Sequence, residues 1–269
     1  MRSKYSDSKD REGASATGSV VSGASTTADV SGASATGITI KKLINDFTGI
    51  FYPPLCSACG EVLMQNEKVL CLSCMADLPR TGFHNDPENE VAKMFWGRVN
   101  IKNATAFMVF VKESRYRQIL HDIKYRGNYE AAAELGRMFG NELISSPFSA
   151  ADVIIPVPLH AAKQRKRGYN QSAIIAEGMT KSLNMPVEAK LIKRLVNTGT
   201  QTSRTRYERW ENVKGTFEVT SPEKLVNRHV LLVDDVITTG STFEACASAI
   251  IAIPGTQVSV AALAYVKLL

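Results

Sequence analysis

Residues Val230 to Thr242 read VLLVDDVITTGST: four apolar residues, two adjacent carboxylates, then a short loop rich in hydroxyls. Ending an apolar strand on two negative charges is costly unless something offsets them. In an open α/β sheet, ligands bind beyond the carboxyl ends of the strands. The helix predicted after TTGST would direct free N–H groups and a positive dipole end to that same place. Thr238, Thr239, Ser241 and Thr242 add hydroxyl donors, and Gly240 lets the backbone close around an anion. Asp234 and Asp235 are suited to gripping a cis-diol, and to favouring a ring that turns positive as the bond to its anomeric carbon breaks. A ribose carrying a 5′-phosphate fits both halves of the stretch. The plainer alternative is a helix-cap region followed by an ordinary turn. No Gly-Lys dipeptide occurs in the chain, which excludes a GxxxxGK[ST] phosphate loop.

A second chemical cluster lies far upstream. Cys56-x-x-Cys59 and Cys71-x-x-Cys74 are separated by eleven residues, and Gly60 relieves the first turn. Four thiolates make the closed tetrahedral set of a structural zinc site and leave no position open for catalysis. Disulfides would need an export signal, and the first 30 residues lack the apolar core of one. The ribbon can serve as a folding staple for a segment too small to make its own core, or as a binding surface. The fifth cysteine, Cys246 in EACASAII, reads as a small buried apolar residue.

Positive charge gathers in two places. DVIIPVPLHAAKQRKRGYNQSAIIAEGM puts a strand and a proline-shaped loop ahead of Lys163, Arg165, Lys166 and Arg167, with a helix after them. TGTQTSRTRYERWENVKGTFEV is a polar, basic link that ends in a predicted strand. These cations suit a polyanionic small molecule. They also suit a nucleic-acid backbone, with Tyr169, Tyr207 and Trp210 able to stack on bases.

The elements that must position these residues follow from spacing. Strands are predicted at ATAFMVFVK, ADVIIPVPL, HVLLVDD and QVSVAALAYVK, and helices at SRYRQILHDIKYRG, YEAAAELGRMFGNELI, NQSAIIAEGMTKSL and STFEACASAIIAI. Strands alternating with helices of this length imply an α/β domain with a mostly parallel sheet, here over residues 95–269. Residues 41–82 form the zinc-ribbon module. Residues 1–40 are dominated by Ser, Gly, Ala and Thr, contain GASATG twice, and are expected to be disordered. The 269 residues carry 32 basic and 26 acidic side chains, a net charge of +6 that favours anionic ligands. No apolar run reaches the roughly 18 residues of a membrane helix. The expectation is a cytoplasmic protein without membrane insertion.

Taken whole, VLLVDDVITTGST resembles the signature of the type I phosphoribosyltransferases. The double Cys-x-x-Cys, the Lys-aromatic pair in ILHDIKYRG, the IIPVPLH stretch and the basic link come in the order seen in the ComF family of competence proteins. The resemblance spans about residues 51–269. It implies a type I phosphoribosyltransferase fold with a small hood, preceded by a zinc ribbon. It further implies that Asp234 and Asp235 hold the ribose hydroxyls of phosphoribosyl diphosphate and that Thr238, Thr239, Gly240, Ser241 and Thr242 take its 5′-phosphate. Val157, Pro158, Leu159 and His160 would then face the pyrophosphate, with Arg165 and Arg167 as charge partners. The link from 198 to 215 would be the hood, offering Arg206 and Arg209, and magnesium would accompany the substrate. Arg204 departs from the family's apolar preference there. The sequence offers no convincing general base for the nucleophile; His160 and Glu208 are the candidates, against the plainer reading of a lone loop histidine as surface. The implied chemistry is phosphoribosyl transfer to a nitrogen nucleophile with release of pyrophosphate. Two other readings stand beside it: a factor that handles single-stranded DNA, alone or with DNA-processing proteins, with the pocket binding or regulatory, and a scaffold whose ribbon docks a partner protein.

Overall fold

The run VLLV is continuous rather than alternating because its strand is covered on both faces. In the computed structural model, which describes residues 53–195 and 215–267, β5 (His229–Ile237) lies inside a four-stranded sheet of order β1-β6-β5-β2. Its neighbours are β1 (Ala104–Phe110), β2 (Val153–Pro156) and β6 (Gln257–Val266), and every pairing is parallel. Leu231 and Val233 face one apolar layer, Val230 and Leu232 the other, and all four are fully buried. Burying each such side chain stabilises the fold by about 1.5–3 kcal/mol. This is the expected α/β architecture: a parallel sheet flanked by helices.

The first layer holds α3 (Tyr116–Tyr125), α4 (Tyr129–Leu143) and α6 (Gln171–Leu183). Helices α4 and α6 cross with their backbones in contact. A β-carbon added at Gly178 would stand 2.1 Å from the Ala133 carbonyl oxygen, and one at Gly136 would stand 2.3 Å from that of Ile175. Only glycine permits this approach, and it seats the first turn of α6 against the sheet. The second layer holds α7 (Ser241–Ile251), whose Phe243, Cys246, Ala247 and Ile250 are buried, together with Val91 and Phe95. Cys246 is fully buried among them, as its setting in the sequence predicts.

Gly127 breaks the helical run between α3 and α4 with a φ of +70°. KQRKR, which the sequence places only between a proline-shaped loop and the next helix, forms a helix of its own, α5 (Ala161–Arg167). His160 caps it, its Nδ1 accepting from the Ala162 N–H at 3.3 Å, and Gly168 closes it at φ 83°. Two short strands, β3 (Ile192–Arg194) and β4 (Phe217–Val219), pair antiparallel outside the main sheet. Only β4 is foreshadowed in the sequence.

The cysteine segment contains α1 (Leu72–Ala76), and a further short helix, α2 (Glu90–Lys93), precedes β1. Cys56, Leu63, Val69, Leu70 and Cys74 join the same apolar cluster as Ile119, Leu120 and Ile123 of α3. The ribbon and the sheet therefore share one core layer.

Candidate functional site

Strand β2 stops at Pro156, opposite Val233, and the Val157 N–H makes the last rung to the Val233 carbonyl at 2.8 Å. Strand β5 continues to Ile237, paired from there only with β6. Asp234 and Asp235 occupy the first two positions beyond that step. They line the crevice that the shorter strand leaves, rather than terminating their own strand as the sequence suggests. Alternation starts the two side chains from opposite faces of β5.

Both carboxylates are buried, Asp234 9% and Asp235 6% exposed, and the first turn of α6 reaches both. Ser172 Oγ donates to Asp234 Oδ1 at 2.6 Å, and the Asp235 N–H donates to the same oxygen at 2.9 Å. Gln171 Nε2 donates to Asp235 Oδ2 at 3.0 Å, and Lys124 Nζ stands 3.8 Å from that oxygen. A relay leads outward. Arg167 Nη1 donates to Gln171 Oε1 at 2.6 Å, and its guanidinium lies 5.4 Å from the centre of the Tyr125 ring. Burial, reinforced by the neighbouring charge of Asp235, pushes the Asp234 carboxyl up to about 7. Burial also lowers the Lys163 ammonium, with Arg194, Arg167 and Lys124 adding repulsion. Two desolvated acids thus face a group of four cations. Such a site accommodates a ligand that is polyanionic at one end and offers hydroxyl donors at the other.

Beyond β5 the chain turns through Thr238 and Thr239, both exposed, to Gly240 at φ 75°, which caps α7. A β-carbon at Gly240 would stand 3.2 Å from the Phe95 ring. Thr239 Oγ1 and Ser241 Oγ are 3.0 Å apart, and Ser241 is exposed with Thr242 half-buried behind it. Exposed hydroxyls at a helix N-terminus are the elements of an anion cradle. Arg98 braces it: Nη1 donates to the Thr239 and Met94 carbonyls, each at 3.0 Å, and Nη2 pairs with Glu244.

In the loop after β2, Val157 and Pro158 are buried and Leu159 and His160 half-buried. Asn170 Nδ2 ties this loop to α6 by donating to the Val157 carbonyl at 3.0 Å. The His160 ring is engaged as the cap of α5, and His160 bridges to Arg194 of β3. Arg167 joins the acids through Gln171, whereas Arg165 lies on the exposed face of α5. Arg204, Arg206, Tyr207, Glu208, Arg209 and Trp210 lie outside the described residues. Tyr169 is fixed within the fold. Its hydroxyl donates to the Ile123 carbonyl at 2.6 Å and accepts from the Gly127 N–H at 3.2 Å, and its ring meets Tyr129 edge-on. It is not a free stacking platform.

Four residues of this site escape sequence reasoning as site residues: Lys124, Gln171, Ser172 and Arg98. The Lys124–Tyr125 pair stands out in ILHDIKYRG. Gln171 and Ser172 are polar residues directly ahead of the apolar turn Ala173–Ala176, which hints that they face something polar. Arg98 lies 141 positions from Thr239, and no local pattern marks it.

At the ribbon, one Sγ from each of Cys56, Cys59, Cys71 and Cys74 lies within 4.8 Å of the others, and Cys59 and Cys71 are 3.7 Å apart. A tetrahedron of sulfurs at about 2.3 Å from zinc has edges of about 3.8 Å, so the set fits that ion. The Cys71 N–H donates to Cys56 Sγ at 3.3 Å and the Cys74 N–H to Cys71 Sγ at 3.5 Å. Burial raises the Cys56 thiol, but N–H donors from Cys59, Cys71 and Ala58 outweigh it and bring the group down to about 6.

Comparison with known proteins gives relatives along most of this length. Competence protein F of Haemophilus influenzae is 40% identical over 92 residues, 34% of this chain and 40% of that one. The DNA utilization protein YhgH of Escherichia coli is 28% identical over 196 residues, 70% of this chain and 80% of the relative. Competence protein ComFC of Bacillus subtilis is 26% identical over 198 residues, covering 67% and 77%. The chain is a homologue of these competence and DNA-utilization proteins. The resemblance stated from the sequence is met, although the chain spans well under half of competence protein F itself. No family model matches. Among solved structures, a glutamine phosphoribosylpyrophosphate amidotransferase from Bacillus subtilis aligns with TM-score 0.38 and 19% identity over 53% of this chain and 30% of that one. The allosteric regulatory enzyme of purine biosynthesis aligns at 0.36 and 18%, over 52% and 30%. Overlaps this slight leave the fold to rest on the sheet itself.

Proposed function

We propose that this homologue of the competence proteins binds phosphoribosyl diphosphate, as the magnesium complex, in a type I phosphoribosyltransferase-like crevice beyond β2. The observation that carries the reading is the pair Asp234 and Asp235, buried side by side within reach of Lys124, one strand-end away from the Thr238–Thr242 cradle. The acids accept from the ribose 2′- and 3′-hydroxyls in place of Ser172 and Gln171. The cradle takes the 5′-phosphate. The loop Val157–His160, with Lys124, Lys163 and Arg167 nearby, faces the diphosphate. Magnesium arriving with the substrate would supply positive charge against the diphosphate, with the Asp234 and Asp235 carboxylates as the acidic groups facing it. As the anomeric bond lengthens, the carboxylates lower the energy of a ring gaining positive charge, and the cations do the same for departing pyrophosphate. Phosphoribosyl transfer to a nitrogen nucleophile is the reaction these roles support.

Calorimetry with magnesium phosphoribosyl diphosphate tests the reading on the wild type and on Asp234→Asn/Asp235→Asn. Micromolar-range binding to the wild type and none to the variant is expected. Equal binding by both would overturn it.

The relatives' names support a role in competence or DNA utilization; the second reading adds single-stranded DNA or a DNA-processing protein as partner, in the cytoplasm. Exposed Arg165 and Lys166 on α5 favour a polyanion contact. A steep fall of DNA affinity with rising salt is the expected signature; absence of binding at low salt would remove this second reading. Structural zinc in the four-cysteine set completes the proposal. Leu55, Val62, Met64 and Leu72, all exposed on the ribbon, favour a protein-docking role for its outer side.

A further inference from the structure

Anion cradles at helix N-termini depend on a net positive end, yet the first turn of α7 carries an acid. Glu244 lies one turn into the helix, its N–H donating to the Gly240 carbonyl at 2.8 Å. Left alone, its carboxylate would oppose the binding of phosphate at Ser241 and Thr242. The molecule answers this from far away in sequence. Arg98 pairs with Glu244, and its other terminal nitrogen holds the Thr239 carbonyl, so one guanidinium neutralises the acid and pins the turn. Phe95, three residues before it, supports Gly240 from behind, and Met94 lends its carbonyl to fix the guanidinium. The segment 94–98 is thus a brace built against the back of the cradle, with its charge directed at the one group that would spoil it.

We infer that Arg98 is a positioning residue for phosphate recognition: it cancels Glu244 and holds the Thr238–Thr242 turn in its anion-receiving shape, without itself touching the ligand. The inference deepens the proposed phosphoribosyl site and rests on that reading for its ligand, but the brace makes a claim about the turn that needs no ligand at all. Arg98 is partly exposed, its side chain 37% accessible, so its removal leaves the core intact.

The test compares wild type, Arg98→Ala, Glu244→Gln and Arg98→Ala/Glu244→Gln, with ribose 5-phosphate and inorganic pyrophosphate as separate probes. Hydrogen exchange of the amides of residues 239–244 is measured on the unliganded proteins. Arg98→Ala is expected to weaken ribose 5-phosphate at least tenfold, leave pyrophosphate within twofold, and speed exchange at 239–244. Adding Glu244→Gln is expected to restore most of the lost affinity, because the repulsion is gone, while exchange stays fast. A merely structural role for Arg98 would show no such rescue. Unchanged exchange in Arg98→Ala would overturn the bracing role. Loss of affinity without rescue by Glu244→Gln would overturn the charge role. If wild type binds neither probe while exchange in Arg98→Ala still quickens, the phosphoribosyl reading fails and the brace stands.

Discussion

Removing one buried charge from the acid pair should make the protein more stable, and by an amount that depends on pH. In the folded state the Asp234 carboxyl is raised from its ordinary 3.8 to about 7, first by burial and then by Asp235. A group held above its unfolded value contributes its full stability below pH 3.8, where both states carry the proton. That contribution is lost as pH rises through about 7. At pH 8 the penalty is roughly 4 kcal/mol, taking about 1.4 kcal/mol per pH unit. Asp234→Asn removes it while keeping an oxygen to accept from Ser172 Oγ and the Asp235 N–H. The new amide N–H₂ needs an acceptor of its own, at a cost of about 1–2 kcal/mol. The net gain at pH 8 is therefore about 2–3 kcal/mol, or roughly 4–12 °C in Tm for a domain of this size. At pH 5 the gain should shrink to near zero. Urea unfolding at pH 5 and pH 8 in zinc-containing buffer reads this directly. A variant less stable than wild type at pH 8, or a gain equal at both pH values, would refute the idea that a desolvated charge is stored here.

Three further outcomes follow from the same geometry. Binding of a diol or cation at the acids should expel the proton held on Asp234, so affinity for magnesium phosphoribosyl diphosphate should rise as pH climbs from 6 to 7; calorimetry in buffers of differing ionisation enthalpy would show the released proton, and a flat profile would contradict it. Gly178→Ala should destabilise by about 2–4 kcal/mol, since its β-carbon would stand 2.1 Å from the Ala133 carbonyl oxygen; an unchanged urea midpoint would contradict the close crossing of α4 and α6. Chelation of zinc, or Cys71→Ser, should lower the Tm of the sheet domain itself, because Cys56 and Cys74 belong to its core layer; an unshifted main transition would show the ribbon to be energetically separate.

Much of this was legible in the residues, for identifiable reasons. The strands and long helices announce themselves because burial on two faces or on one stripe imposes periodicity, and the acid pair announces itself because charge after an apolar run is expensive. The four cysteines are legible because a tetrahedral thiolate set needs only two tight turns. What the sequence hides is contact between distant segments. Nothing local says that β2 ends one residue before the acids and so opens the crevice, since register is a property of two strands. Gln171 and Ser172 look like an ordinary polar helix start until β5 is placed beneath them. Arg98 carries no pattern because its partners are set by the packing of Phe95 under Gly240. KQRKR carries no helical signal because the seven residues Ala161–Arg167, four of them positively charged, lack an apolar stripe. It is helical because His160 and Gly168 supply both caps.

The sulfur knot holds one end of a rod. Arg115 reaches Cys74 Sγ at 3.5 Å and the Tyr116 hydroxyl donates to the Cys74 carbonyl at 2.9 Å, both at the start of α3. Eight residues after Tyr116 the same rod delivers the Lys124 ammonium to Asp235, along a span of about 12 Å at the helical rise of ~1.5 Å per residue. If the cysteine grip slackened, that rod would be free to tilt and the ammonium to leave the carboxylate, so on the proposed reading a metal bound at the cysteines would govern, at a distance, how a sugar's oxygens are received.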